Sequence, residues 1–244
     1  MVTALPVAGT RARSAKRCSK RVPASPNFGE RRDGLRPEFI VIHYTAMQSC
    51  AAAAARLCDP VAEVSAHYLI DYDGTVQVLV PEGLRAWHSG AGSWRGFSDM
   101  NSRSIGIELA NDGFEPFPEP QMVALERLIA GIMARWGIGP AGVIAHSDMA
   151  PGRKTDPGAR FDWRRLARGG LSVWPEAVER RAQNGVSDFD TLARAIGYDG
   201  DAGAVLAAFR LRFRPSASGP PDDTDVQLAR SLANLIVDQT PPAA

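Results

Sequence analysis

Two histidines and one aspartate have the residue types and spacing of a hydrolytic metal site. His43 lies in the segment FIVIHYT, and His146 and Asp156 lie in AHSDMAPGRKTDPG. A catalytic zinc ion takes three protein ligands and leaves a fourth position for water, and imidazole nitrogen and carboxylate oxygen are suitable ligands. A lone histidine on an apolar strand is more often structural, but the Gly/Pro-rich loop can bring these three side chains together. The sequence therefore predicts one zinc ion per chain, held by His43, His146 and Asp156.

Glu108 and Lys154 could supply the rest of the chemistry. Glu108 interrupts the otherwise apolar segment SIGIELA, where an isolated acid needs a partner or a role. We predict that it is the general base that takes a proton from the attacking water. Lys154 precedes Asp156 by two residues, so both side chains point the same way if the segment is extended. The Lys154 ammonium would then stabilise an oxyanion beside the metal.

The segment AWHSGAGSWRG places a histidine and a tryptophan beside a glycine-rich loop. Loops of this composition often form the walls of ligand sites, so His88 and Trp94 are predicted to contact a substrate. A structural role for His88 is the alternative. The fourth histidine, His67 in SAHYLID, is predicted to be buried and hydrogen-bonded within the core.

The hydrophobic pattern predicts the elements that position these residues. An apolar run predicts a buried strand that carries His43 to a surface cleft, and Asp73-Gly74 predicts a hairpin turn. A helix over residues 122–136 follows from apolar residues at helical spacing between prolines and Gly137. The predicted strands are 39–45, 65–71, 75–80, 104–110 and 143–146, and the predicted helices before the C-terminal region are 49–57 and 122–136.

Interleaved strands and helices predict an α/β catalytic domain over residues 25–180, with a central mixed β-sheet flanked by helices. A small all-helical domain is predicted over residues 186–244, with helices at 187–196, 202–213 and 222–237. It contains no histidine or cysteine. Residues 1–24 are basic and predict a flexible arm, for which contact with an acidic polymer is the alternative to a solvated tail.

Composition excludes several kinds of partner. The chain has 244 residues and a formal net charge of +1, so no global charge attracts nucleic acid. No apolar run approaches the roughly 20 residues that a transmembrane helix needs. No apolar segment of a secretory signal follows the basic residues, which favours the cytoplasm.

Five segments, in this order, resemble the zinc-dependent N-acetylmuramoyl-L-alanine amidases of the type 2 amidase family, in its AmiD and AmpD branches: IVIHYT, SAHYLIDYDGTVQVLVPE, AWHSGAGSWRG, NSRSIGIELAN and HSDMAPGRKTDPG. The resemblance covers about Ser25 to Pro175. It implies the fold of these amidases and of the peptidoglycan recognition proteins, and the same three zinc ligands. It also implies catalytic roles for Glu108 and Lys154, and substrate contacts for Tyr44 and Thr45.

The resemblance further implies hydrolysis of the amide bond between N-acetylmuramic acid, or its anhydro form, and L-alanine of the stem peptide. The setting would be bacterial peptidoglycan turnover or recycling, with peptidoglycan or muropeptides as partners. A non-catalytic peptidoglycan-recognition protein is the alternative. The C-terminal segment resembles a peptidoglycan-binding domain, although helices that only cover apolar surface are the other interpretation. By resemblance to AmiD, the location would be the periplasm or cell envelope.

Overall fold

The computed structural model describes residues 24–176 and 188–238. Except for Ala24, the predicted basic arm lies outside these ranges. The strands are β1 (Phe28–Gly29), β2 (Phe39–Tyr44), β3 (Tyr68–Ile70), β4 (Val76–Val78), β5 (Arg85–Ala86), β6 (Ser104–Leu109) and β7 (Val143–Ala145). The helices are α1 (Cys50–Leu57), α2 (Met100–Arg103), α3 (Glu119–Trp136), α4 (His146–Met149), α5 (Trp163–Arg168), α6 (Asp188–Ile196), α7 (Ala202–Phe213) and α8 (Asp223–Asp238).

The central sheet is mixed, as predicted. Its five strands lie in the order β4-β3-β6-β2-β7, and a separate two-stranded sheet pairs β1 with β5. The pairs β3–β6, β6–β2 and β2–β7 are parallel, whereas β4 pairs with β3 in the antiparallel direction across the predicted hairpin. The crevice at the carboxyl ends of parallel strands is the usual ligand site of an open α/β sheet.

One face of the sheet packs against α3 and α5. Alternating residues of the two central strands, such as Ile42 and Ile107, meet the apolar side of α3, which buries Leu125 and Ile129. The predicted helix is confirmed, although it begins three residues earlier. It ends at Gly137, whose φ of 69° is left-handed and whose N–H donates to the carbonyl of Met133.

The opposite face packs against the three C-terminal helices, which the sequence predicted within one residue at each end. A single core cluster joins sheet residues to helix residues, and its members include Phe39, Val41, Ile144, Phe189, Ile196, Leu206, Phe209 and Leu232. The helices therefore cover the sheet and share its core. Their separate role as a peptidoglycan-binding domain stays a prediction.

Short-range signals set several element ends. Helix α1 begins after Ser49, whose hydroxyl accepts a hydrogen bond from the N–H of Ala52, as expected of an N-cap residue. In the β3–β4 turn the N–H of Gly74 donates to the carbonyl of Asp71, and Gly74 has a φ of 85°. Across the described ranges, none of the helices has the length and apolar character to cross a membrane.

Candidate active site

Two neighbouring strands and one loop bring the predicted metal ligands to one edge of the sheet. His43 is the penultimate residue of β2, and His146 follows the last residue of β7 directly. Asp156 lies on the loop after α4, and its carbonyl accepts a hydrogen bond from the N–H of Ser147, which ties the loop back to the helix. Parallel pairing thus places two ligands side by side, and the loop adds the third.

The three ligand atoms form an equilateral triangle. His43 Nδ1, His146 Nδ1 and Asp156 Oδ2 each lie 2.9 Å from the other two. Both histidines are buried, and the side chain of Asp156 is 12% exposed. This cluster of two imidazoles and one carboxylate can hold a metal ion.

Hydrogen bonds at the far side of His146 leave its Nδ1 available. The carbonyl oxygen of Ser89 lies 2.9 Å from His146 Nε2 and can only accept, so Nε2 carries the proton. The neutral ring then has a bare lone pair at Nδ1. Metal-binding histidines are commonly oriented in this way by a backbone carbonyl.

The side chains of Ser104 and His88 likewise leave Nδ1 of His43 available. The hydroxyl of Ser104 donates to the carbonyl of Met100, so it accepts from His88 Nε2 at 3.4 Å. The unprotonated His88 Nδ1 then accepts from His43 Nε2 at 3.1 Å. This order leaves His43 Nδ1 without a proton.

The electrostatics of the cluster match a cation site. Burial and the neighbouring His146 lower the pKa of His43 to about 4, which keeps the imidazole neutral at pH 7. The carboxyl group of Asp156 faces the two Nδ1 atoms, neither of which carries a proton. Lone pairs on two nitrogens and an anionic oxygen therefore face one another at 2.9 Å, an arrangement that a bound cation would stabilise.

Glu108 lies beside this cluster without belonging to it. It is opposite His43 in the parallel pairing of β6 with β2, so both side chains lie on the same face of the sheet. Burial, with a contribution from Asp156, raises the pKa of Glu108 to about 8, although Lys154 acts against it. Glu108 Oε2 is buried and has no hydrogen-bond partner in the described part of the chain. A carboxylate in this setting is suited to exchanging a proton with a ligand.

The ligands and Glu108 line a cleft of about 370 Å³. Lys154 lines the same cleft, as the sequence predicted, together with Arg153 and Arg56. Arg153 donates hydrogen bonds to the carbonyl oxygens of Ser89 and Ala91. The cleft therefore combines a metal-ligand cluster, one buried carboxylate and cationic side chains.

The structure brings three of the four predicted substrate contacts to the cleft. Tyr44, Thr45 and His88 line it. The hydroxyl of Tyr44 lies 3.3 Å from that of Thr155, and the Thr45 hydroxyl donates to the carbonyl of Asn111. Both ring nitrogens of His88 contact protein groups, namely His43 Nε2 and the hydroxyl of Ser104.

Trp94 is not in the cleft. Its side chain is 2% exposed and belongs to the core cluster that joins the sheet to the C-terminal helices. Its indole ring packs edge-on against Tyr198, with ring centroids 5.0 Å apart. The glycine-rich loop suggested an exposed wall, but the C-terminal helices cover this side of it. The position gives no support to a substrate contact for Trp94.

Sequence reasoning missed the residues that orient the ligands. Gly106 leaves a recess for the ring of His88, because a Cβ atom there would lie 2.4 Å from His88 Cγ. A glycine inside an apolar strand signals such a close approach, so this clue was present in SIGIELA. The contribution of Ser89 comes from a backbone carbonyl, which no residue type reveals.

Comparison with known proteins identifies the family. The family model described as N-acetylmuramoyl-L-alanine amidase matches residues 33–159, more than half of the chain. AmiD of Escherichia coli K12 is 37% identical over 224 residues, which cover 79% of this chain and 80% of that protein. AmpD of Citrobacter freundii, a 1,6-anhydro-N-acetylmuramyl-L-alanine amidase, is 33% identical over 61% of this chain and 88% of its own.

Two solved structures have the same fold. The complex of E. coli AmiD with anhydro-N-acetylmuramic acid-L-Ala-D-γ-Glu-L-Lys superposes with a TM-score of 0.74 at 33% identity, covering 83% of this chain and 91% of AmiD. AmpDh3 from Pseudomonas aeruginosa gives a TM-score of 0.73 at 27% identity, covering 95% and 99%. Fold and site define a hydrolase of amide bonds. The chain belongs to the N-acetylmuramoyl-L-alanine amidase family and is an enzyme of this type.

Proposed function

We propose that this protein is a zinc-dependent amidase that separates the stem peptide from N-acetylmuramic acid or its anhydro form. The bond cleaved is the amide between the lactyl group of the sugar and L-alanine. The observation that carries the proposal is the triangle of His43, His146 and Asp156 beside Glu108, whose Oε2 has no hydrogen-bond partner among the described residues. E. coli AmiD, which shares the fold, was solved with an anhydro-muropeptide substrate.

The donor set fits zinc, and these three side chains would hold one ion per chain. Bound there, zinc would make a water molecule more acidic and polarise the carbonyl of the scissile amide. Glu108 takes the proton from the attacking water and returns it to the nitrogen of the departing L-alanine. Lys154 lines the cleft, and its ammonium group would offset the negative charge that develops on the carbonyl oxygen.

Tyr44 and Thr45 line the cleft on the chain segment directly after His43. We assign them the role of positioning the muramoyl peptide against the reacting groups. The Tyr44 ring packs against Gly113 and Gly158, since a Cβ atom at either glycine would lie 3.0 to 3.2 Å from it. This packing keeps the ring in place at the rim.

The direct test uses the purified protein with one equivalent of zinc and anhydro-N-acetylmuramic acid-L-Ala-D-γ-Glu-L-Lys. Mass spectrometry should detect the free tripeptide and the free sugar acid, whose masses add up to substrate plus one water. Removal of zinc by a chelator should stop the reaction, and added zinc should restore it. Binding of the muropeptide without any cleavage would instead support the non-catalytic recognition protein.

The C-terminal helices are proposed to bind peptidoglycan as a second point of attachment. A second cleft of about 880 Å³, lined chiefly by apolar side chains, lies between α6, α7 and residues 215–221. Thr155 lines both clefts, so the two adjoin at the catalytic loop. A polymer that occupies both would gain effective concentration at the catalytic centre.

Filling the second cleft tests this role without removing the helices. Ala207 is exposed and lines the cleft, so Ala207→Trp should reduce sedimentation with insoluble peptidoglycan while leaving cleavage of the soluble muropeptide unchanged. Ala195→Trp is the matched control, because Ala195 is exposed on α6 outside the cleft. Equal binding of the two variants to the polymer would contradict the proposed role.

A further inference from the structure

Asp148 is a buried carboxylate two residues after the ligand His146, and it takes no part in the cleft. It has no exposed surface. A charge without solvent needs hydrogen-bond partners. Asp148 has three: the backbone N–H of Ala145, the hydroxyl of Tyr198 and the guanidinium of Arg212.

The bond to Ala145 closes the single turn of α4. Asp148 Oδ2 accepts from the N–H of Ala145 at 2.9 Å, across the residue that carries the imidazole. The same turn holds the third ligand, because the N–H of Ser147 donates to the carbonyl of Asp156 at 3.0 Å. The position of Asp148 therefore determines how the turn presents His146 and where the loop with Asp156 is attached.

The other two partners come from the C-terminal helices. Tyr198 follows α6 and donates to Asp148 Oδ1 at 2.7 Å. Arg212 lies on α7 and pairs with Asp148 Oδ2. Arg212 is itself held firmly, since it donates to the carbonyl of Val143 at 3.2 Å and stacks 4.0 Å from the ring centroid of Trp163. The C-terminal helices thus contact strand β7 and helix α4 on either side of Ala145.

We propose that Arg212 and Tyr198 are positioning residues for the metal centre, which act by holding Asp148 and with it the His146 turn. The inference rests on the proposed function only in requiring that the three-ligand cluster binds zinc. It gives the C-terminal helices a role at the catalytic centre, in addition to covering the sheet.

The test compares two buried arginines on the same helix. Arg210 is 6% exposed and Arg212 is 5% exposed, and each pairs with a fully buried aspartate. Arg210, however, bonds to Asp225 of α8 and to the carbonyls of Gly219 and Pro220, all within the C-terminal region. Arg210→Met is therefore the control for Arg212→Met, since both remove one buried guanidinium from α7.

Zinc affinity is measured by competition with a chromophoric chelator, at a temperature where circular dichroism shows each variant to be folded. Both variants should melt at lower temperature than wild type. Only Arg212→Met should also bind zinc about tenfold or more weakly, the usual scale for losing a group that supports a metal ligand. At saturating zinc, its kcat on the soluble muropeptide should fall more than its KM rises.

Tyr198→Phe keeps the inference testable if Arg212→Met does not fold, because it removes only one hydroxyl and keeps the packing against Trp94. It should weaken zinc binding about threefold, corresponding to one hydrogen bond. Wild-type zinc affinity in Tyr198→Phe would overturn this inference and leave the proposed function intact. Equal zinc affinity in Arg212→Met and Arg210→Met would do the same. Wild-type protein that binds no zinc would overturn the proposed function as well.

Discussion

Each histidine of the site uses its two ring nitrogens for different purposes. Nδ1 of His43 and of His146 faces the common ligand position, while Nε2 of each ring is held by the protein, through His88 and the Ser89 carbonyl respectively. An imidazole that has already donated its only proton to the protein presents a lone pair to a metal without further rearrangement. The site is therefore pre-organised for a cation at the level of single atoms.

Removal of any one ligand should abolish stoichiometric zinc binding. His43→Ala, His146→Ala and Asp156→Ala each leave two ligands, which rarely hold zinc against water and chelator. Metal analysis of the three purified variants after dialysis checks this. Full zinc occupancy in one variant would remove that residue from the ligand set.

Glu108→Gln should separate catalysis from metal binding. The amide keeps the shape of the side chain but cannot take a proton, so turnover of the muropeptide should fall by about a hundredfold or more. Zinc content should equal that of wild type, because Glu108 is not one of the three ligands. Near-normal turnover with full zinc content would assign the base to another group.

Among the elements, β6 contributes most to the geometry of the site. Its alternation places Ile105, Ile107 and Leu109 in the core under α3, and turns Gly106 and Glu108 towards the cleft face. This alternation puts the proposed general base, Glu108, and the recess that admits His88 on the same face of one strand.

Gly106→Ala should disturb the metal centre through His88. The added Cβ would lie 2.4 Å from His88 Cγ, so the ring must move and its bond to His43 is lost. We expect about 1–3 kcal/mol of destabilisation, the usual cost of an overpacked core, and about tenfold weaker zinc binding. Urea unfolding and chelator competition measure the two effects.

Gly131→Ala is the control for this substitution. Its Cβ would meet only the flexible end of Arg135 at 3.0 Å on helix α3, where alanine is favoured over glycine. Zinc affinity and stability should not decrease in this variant. If Gly106→Ala behaved in the same way, His88 would not be needed to orient His43.

Glu82 joins strand β3 to helix α3 and should govern stability in acid. Its carboxylate accepts hydrogen bonds from three donors: Tyr68, Arg135 and Trp136. Burial alone would raise the pKa of Glu82, but these hydrogen bonds lower it to about 2. Because the folded pKa lies below the unfolded value, the stabilisation is complete above about pH 4.5 and is lost as the pH falls towards 2.

Glu82→Gln should therefore lower the free energy of unfolding at pH 7 by about 1–2 kcal/mol. The gap between variant and wild type should close as the pH approaches 2, because the wild-type carboxylate is then protonated. Urea unfolding at a series of pH values between 2 and 7 gives both curves. A gap that stays constant over this range would show that the ionised form is not stabilised by its donors.

At the scale of the whole molecule, the C-terminal helices and the sheet form a single core. The cluster that contains Val41 and Ile144 of the sheet also contains Phe209 and Leu232 of the helices. Buried apolar surface of this kind is the main favourable contribution to folding. The catalytic face of the sheet therefore depends on helices that lie about thirty or more residues beyond the last metal ligand.

A chain that ends at Pro175 should lose cooperative stability. Without α6 to α8, the apolar face around Phe39, Val41 and Ile144 becomes exposed, and Asp148 loses its two side-chain partners. We expect a lower melting temperature, binding of a hydrophobic dye, and reduced activity on soluble and polymeric substrates alike. Wild-type activity on soluble muropeptides, lost only on the polymer, would instead indicate that the helices act solely as an anchor.

Residue types and their order were enough to predict the candidate chemistry and most of the elements. Residue type and order identified His43, Glu108, His146 and Asp156, because few side chains bind zinc or move protons and each of these interrupts a recognisable pattern. The spacing of apolar residues predicted β6 and α3, because it indicates which side of a strand or helix is buried.

The element that covers each buried side could be identified only from the folded chain. Trp94 lies in the core because the C-terminal helices pack over its loop, and Asp148 pairs with Arg212, 64 residues further along the chain. The spacing of apolar residues shows which side of an element is buried but not which other element covers it, because many apolar surfaces have similar compositions. Buried polar pairs and contacts with backbone carbonyls depend on which segments meet in space, so the groups that contact Nε2 of His43 and of His146 became visible only in the folded chain.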